Sequence, residues 1–306
     1  MGRYIIRRLL FMIPVLVFIS IITFALLHAV PGGPFSREKP LPPEVLANLE
    51  KFYHLDQPVW KQYVDYMGGI ILHFDFGPSY RSRGQAVSDI FRDHLPVSAE
   101  LGVVALAISL LMGIPLGIIG ALKQNSLWDY ASMGLAVFGI SVPAVVLGPL
   151  MILVFALALR WLPVAGWGTP AQLILPALAL GLHDSAIIAR LTRASMLQVI
   201  REDYIRTARA KGLAERTVMV RHALKNAFIP VATILGPLFA ATVTGTFIVE
   251  QIFAIPGLGK YFITSITNRD YPVVMGTILL YAVFLVLANL AVDITYAFLD
   301  PRIRYT

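Results

Sequence analysis

The chain has 306 residues, of which 57% are apolar and only 14% charged, with a formal net charge of +7 and no cysteine. Ordinary soluble domains carry about 25% charged residues, so a water-soluble core is excluded in favour of a polytopic membrane protein whose backbone satisfies itself inside helices. The absence of cysteine excludes disulfides, thiolate metal sites and cysteine nucleophiles.

Apolar runs of about 20 residues suffice to cross a hydrocarbon layer of about 30 Å. They predict six spans: Leu9–Val30, Val97–Ala121, Tyr130–Leu157, Gln172–Arg190, Ile229–Glu250 and Pro272–Phe298. The first begins basic, but its apolar run is longer than a signal-peptide core and no Ala-x-Ala site follows, so it reads as an uncleaved anchor. Gly113, Pro115 and Gly117 predict a kink in the second span, and Pro143 and Pro149 a bend in the third. Arg3, Arg7 and Arg8 precede the first span, Lys123 lies between the second and third, and Arg302 and Arg304 end the chain. Between the fourth and fifth lie Arg190, Arg193, Arg201, Arg206, Arg209, Lys211, Arg216, Arg221 and Lys225, against Glu202, Asp203 and Glu215. Six spans put all of these on one side, which the positive-inside rule makes cytoplasmic, with both termini. The positive charge is then an orientation signal and not a nucleic-acid footprint.

The connection 31–96 is too patterned to be a plain loop. Val45, Leu46, Leu49 and Phe52 share a helical face and predict a helix over 43–55. A second is expected over 59–74, a turn at Phe74–Ser79, and a short helix over 87–94 leading into the second span. The result is a small helical cap, either a lid or a docking surface for a solute-delivering partner. The connection 250–271 carries Phe253, Ile255, Leu258, Tyr261, Phe262 and Ile263 around the turn former Pro256-Gly257-Leu258-Gly259, and is expected to dip back and line a vestibule.

Catalytic and nucleotide chemistry find no support. Gly259-Lys260 would need Gly at 254 and Ser or Thr at 261 for a phosphate-binding loop, and the chain has Ala254 and Tyr261. His183 and Asp184 are adjacent and so point to different helix faces, and there is no HExxH. Ion-coupled transport has three ionisable groups to draw on, His183, Asp184 and Asp293. Asp184 lies about 9 Å of helical rise from Arg190, close enough to the interface to read as a structural partner of the arginines.

The most informative segment is Tyr204–Pro230, basic, helix-prone and broken at Gly212. A basic amphipathic loop can lie on anionic lipid. Alternatively, the small residues Ala208, Ala210 and Gly212 let it insert closely into a cytoplasmic partner, which its face is expected to need because no other part of the chain is left to cover it. This segment resembles the signature loop of permease subunits of ABC importers, in which Glu-Ala-Ala is followed by Gly and then by a hydrophobic–Pro pair opening the penultimate span. Thr207-Ala208, Gly212, Ile229 and Pro230 fit that frame, with Arg206 at the Glu position as in the peptide and nickel branch. Arg7-Arg8-Leu9, Tyr53-His54-Leu55-Asp56-Gln57-Pro58, Asp75-Phe76-Gly77, Arg221-His222-Ala223-Leu224, Asn268-Arg269-Asp270-Tyr271-Pro272 and Leu299-Asp300-Pro301 extend the resemblance along the chain. Phe35, Leu41-Pro42-Pro43-Glu44-Val45 and Asp75-Phe76-Gly77-Pro78-Ser79 look like the B-type subunit of oligopeptide permeases.

The resemblance implies an all-α polytopic membrane protein with six transmembrane helices and the type I ABC importer permease fold, carrying a small helical periplasmic insertion. The implied organisation is 1–30, cytoplasmic tail and first span; 31–96, periplasmic cap; 97–298, permease core with cytoplasmic loop 191–228 and re-entrant segment 250–271; and 299–306, cytoplasmic tail. It implies a bacterial inner-membrane location and import of oligopeptides, with dipeptides, glutathione or nickel chelates as alternatives. Expected partners are a homologous C-type permease subunit, two ABC ATPase subunits, an extracytoplasmic peptide-binding protein and membrane lipid. ATP and Mg would bind the ATPase subunits; this chain would hold no metal and no catalytic residue. Thr207, Ala208, Arg209, Ala210, Lys211, Gly212 and Leu213 are the expected ATPase contacts. Ser141, Thr242, Thr244, Thr246 and Glu250 are expected along the translocation path, with Glu250 meeting a peptide amine.

Overall fold

The computed structural model describes residues 2–35, 42–82 and 84–299, with all their side chains except those of residues 2–4, 244, 245, 292, 293 and 295–299. The expectations for Thr244, for the side chain of Asp293 and for the tail from Asp300 onward lie outside the described residues.

Twelve α-helices follow in order among the described residues: α1 Gly2–Ala29, α2 Pro43–Phe52, α3 Val59–His73, α4 Val87–Leu122, α5 Leu127–Ser141, α6 Ala144–Met151, α7 Pro170–Val199, α8 Asp203–Ala210, α9 Glu215–Thr217, α10 Leu224–Ile252, α11 Leu258–Asn268 and α12 Tyr271–Leu299. The wider π-type winding continues α6 through Ile152–Ala158 and joins α9 to α10 through Val218–Ala223. Five helices are long and apolar enough to cross a membrane, and a sixth span results if α5 and the α6 segment count as one.

The proline signals divide. Pro143 breaks the third span outright: Val142 takes an extended conformation, as residues before proline do, and the two halves meet at 104°. The second span does not break. It is one helix of 36 residues that absorbs the short helix expected over 87–94 and continues through Pro115. The segment 250–271 is also more regular than expected, since Gly257 opens the 11-residue helix α11. α7 starts with Pro170 in its first turn, and the Gln172 side chain accepts the Thr169 backbone N–H at 3.1 Å.

Two compact units result, one from Ser98–Pro256 with the chain beyond Leu285, the other from Gly2–Val97 with Gly257–Phe284. In the first, α7 is the hub: 56% of its apolar window is buried, against 17% for α1 of the second. Ile188 of α7 packs with Val231 and Leu238 of α10 and with Leu106, Leu110 and Ile114 of α4. Gly113 and Gly117 serve this crossing and not a kink. A Cβ on Gly113 would lie 2.6 Å from the Ser185 carbonyl oxygen, and one on Gly117 2.6 Å from that of Ala189. Their G-x-x-x-G spacing lets α4 lie backbone to backbone on α7, the way helices associate where lipid removes the hydrophobic drive.

In the second unit a turn is clamped by polar groups. Asp270 accepts the Ser79 hydroxyl at 2.5 Å and the Tyr80 N–H at 3.0 Å, and Arg81 donates to the carbonyls of Asn268 and Pro34. Arg269 donates to the carbonyls of Pro31 and Gly32.

Candidate functional site

The segment Tyr204–Pro230 folds as an elbow. α8 opens with Asp203 in its first turn, where a carboxylate complements the helix dipole, and ends at Gly212, whose φ of +75° is readily reached by glycine alone. The chain turns there and climbs through α9 into α10. Ion pairs tie the exposed side: Arg209 donates to both carboxylate oxygens of Glu215, at 3.1 and 2.7 Å, and Arg206 to Asp203 at 3.3 Å. The Asn226 amide reaches the Tyr204 hydroxyl at 2.7 Å.

The inner side corrects the sequence reading. Ile205 is fully buried and Ala208 only 7% exposed, packed with Ala121 of α4, Met196 of α7, Val218, Met219, Ala223 and Ala227. The apolar face of α8 is therefore covered by this chain. Ala208 is anchored in this chain's own core, and Arg209 has a carboxylate partner in Glu215. Thr207, Ala210, Lys211, Gly212 and Leu213 are exposed. The core beneath them joins the ends of α4 and α7 to the start of α10.

The residues expected along the path separate. Thr242 donates to the Asp184 carboxylate at 2.5 Å and to the Leu238 carbonyl at 2.8 Å. Asp184 thus pairs with a threonine of α10, not with the arginines. Thr246 is fully buried and bonds the Val243 carbonyl. Glu250, 1% exposed, accepts the Ser98 hydroxyl at 2.6 Å. The Thr242–Asp184 and Ser98–Glu250 bonds tie helices together, the commoner role of such groups in membranes, whereas Thr246 bonds back within α10. Of the path residues whose side chains are described, Ser141 is the exposed one, beside the 104° break, its hydroxyl on the Val137 carbonyl at 2.7 Å.

One ion pair escaped the sequence reading. Arg193 of α7 donates through two nitrogens to both oxygens of Asp129 at 2.7 Å, and the Asn125 N–H caps the same carboxylate at 3.0 Å. Asp129 is 3% exposed, so this is a buried bidentate clamp of α5 on α7. A lone acid opening an apolar helix beside an arginine-rich loop was its only signal.

Two family models match. Residues 113–305 fit the binding-protein-dependent transport system inner membrane component, and residues 1–102 fit the N-terminal part of such components. The chain belongs to this family. It is the multi-pass, non-catalytic membrane component of an ABC importer. The family member DppB, a dipeptide transport system permease protein of Bacillus subtilis, is 48% identical over 304 residues, covering 99% of this chain and 98% of the relative. OppB, an oligopeptide transport system permease protein of Escherichia coli, is 44% identical over the full length of both chains. Among solved structures, the MetNI methionine ABC transporter in an inward-facing conformation matches 70% of this chain and 97% of its own, with a TM-score of 0.55 and 17% identity. An amino acid ABC transporter matches 68% of this chain and 93% of its own, with a TM-score of 0.52 and 19% identity. These two likenesses establish the helical importer fold.

Proposed function

We propose that this chain is a peptide-passing membrane subunit of an ATP-driven importer, working beside a homologous permease subunit, with ATPase subunits at the elbow and a solute-binding protein on the opposite side. The observation that carries this reading is full-length similarity at 48% and 44% identity to permeases named for dipeptides and oligopeptides. Both termini and the elbow are cytoplasmic, on the arginine and lysine distribution. The ATPase contact is the exposed rim Thr207, Ala210, Lys211, Gly212 and Leu213, while Ile205 and Ala208 hold the rim to the helices it moves. A push at the rim becomes a movement of α4, α7 and α10 because the core below is closely packed. The peptide path runs beside Ser141. Pro143 has no N–H for the carbonyl one turn back, and irregular backbone at membrane depth is tolerated where it lines a cavity or a protein contact.

The test is ATP-driven uptake of labelled peptides by the complete importer in proteoliposomes. Gly212→Pro demands φ near −65° and removes the Gly212 N–H bond to the Arg209 carbonyl, so uptake is expected to vanish with insertion unchanged. Normal uptake by that variant would remove the elbow's role. A single metal chelate carried by the binding protein would replace the peptide cargo. Uptake by this chain alone under a proton gradient would replace the class.

A further inference from the structure

The unit of Gly2–Val97 and Gly257–Phe284 encloses a cavity of about 310 Å³ that the elbow and the peptide path do not use. Its wall is a continuous arc of rings. Phe24 stacks on His28 at 4.1 Å and His28 lies 5.4 Å from Tyr271. Tyr271 is 6.4 Å from Tyr80, Tyr80 4.6 Å from Tyr53, and Tyr53 4.9 Å from Phe52. All six line the cavity, and no lysine or arginine does.

Most polar groups here are already committed. Gln62 donates to the carbonyls of Leu55 and Gln57, and its amide oxygen lies 3.3 Å from the His28 ring. The Tyr66 hydroxyl donates to the Pro272 carbonyl. Burial raises the Tyr66 and Tyr80 phenols above their ordinary range, with the negative charge of Asp270 adding to it for Tyr80, so these two phenols stay uncharged. What remains open is a set of ring faces, the hydroxyls of Tyr53, Tyr80 and Tyr271, and the carboxylate of Asp65 on α3, exposed and without a hydrogen bond or ion pair among the described residues. Ring faces are negative and attract cations, and a carboxylate adds a charge-assisted partner. An anion would face the Asp65 carboxylate with no lysine or arginine in the lining, and a purely apolar ligand would leave Asp65 unused.

We propose that this cavity binds the ammonium end of a short peptide, with Asp65 as the counter-charge and the Tyr53, Tyr80 and Tyr271 rings around the amine. The proposal rests on the peptide-import reading and on the cap facing outward, where cargo arrives. The volume equals that of about ten waters, enough for an amino terminus with its first side chain and too small for a folded partner. A primary ammonium could also come from an ethanolamine phospholipid, so the test separates the two sources.

The assembled importer, without its binding protein, is placed in nanodiscs of phosphatidylglycerol, and binding of an alanine tripeptide is measured by saturation-transfer NMR beside its N-acetylated form. Saturable binding of the free tripeptide is expected, with the acetylated form about tenfold weaker. Asp65→Asn, a change at an exposed and unpartnered side chain, is expected to bring the free tripeptide to the acetylated level. Tyr53→Leu is expected to weaken the free tripeptide several-fold and to leave the acetylated one nearly unchanged. Equal binding of the two forms, no saturable binding, or unchanged binding by Asp65→Asn would overturn the proposal. Loss of peptide binding on adding phosphatidylethanolamine would also overturn it, assigning the cavity to lipid. ATP-driven uptake by the complete importer is run in parallel. Uptake that persists without cavity binding removes the cavity proposal alone, whereas no uptake of any peptide removes the cargo reading.

Discussion

The two units hold their helices together with different emphasis. In the unit Ser98–Pro256, glycines bring backbones into contact, with a few buried polar bonds beside them: Gly113 and Gly117 against α7, Gly181 with its Cβ position 2.7 Å from the Ala105 carbonyl, Gly139 equally near that of Leu182. In the unit Gly2–Val97 with Gly257–Phe284, rings and long polar side chains do the joining, and a cavity is left between them. The lesson concerns stiffness. Backbone contact transmits displacement, which suits helices driven from an elbow; ring-walled space yields to a ligand, which suits capture.

Breaking the first kind of contact has the largest expected effect. Gly117→Leu puts atoms where Thr192 and Ala189 already are, at 2.5 and 2.6 Å from the first added carbon. It should cost about 3 kcal/mol or more and abolish the monodisperse peak in size exclusion; a wild-type melting temperature would mean that α4 and α7 do not touch there. Next comes Arg193→Ala, which strands the buried Asp129 carboxylate and should cost about 3 kcal/mol. The double variant Asp129→Asn/Arg193→Gln should regain most of that in thermal melts in the same detergent. Additive losses would show that the pair is not coupled.

In the other unit, Asp270→Asn weakens the two bonds to the 79–80 turn and should cost about 2 kcal/mol. Limited proteolysis should show earlier cleavage at Arg81; an unchanged pattern would relocate the clamp. The smallest effect belongs to the exposed elbow pair. Arg209→Ala should change stability by less than about 0.5 kcal/mol, since surface ion pairs contribute little. A large drop in melting temperature would mean that the pair is not solvated as described.

Much of this was legible along the chain. Apolar run length predicted the spans, Pro143 the bend, Gly212 the elbow, and the spaced signature residues the family. What was not legible has one cause. Gly113 and Gly117 signalled flexibility or close approach equally well, and only the presence of α7 selected the second. Ala208 gave no sign of its cover in this chain, because Met196, Val218 and Ala227 are distant in sequence or lie beyond the turn. Asp184 was assigned to nearby arginines, whereas the Thr242 hydroxyl of another helix reaches it. Glu250 gave no sign of its bond to Ser98 of another helix.

Sequence alone determined what partition and local geometry dictate: which segments leave water, on which side charge accumulates, and where backbone must turn. Those depend on residues within a few turns of one another. Tertiary structure decided which side of α8 faces inward, which acids are paired, and that six rings surround a cavity beside one open carboxylate. These depend on helix crossings between residues far apart in the chain, and a helical period reports that a face is buried without saying against what.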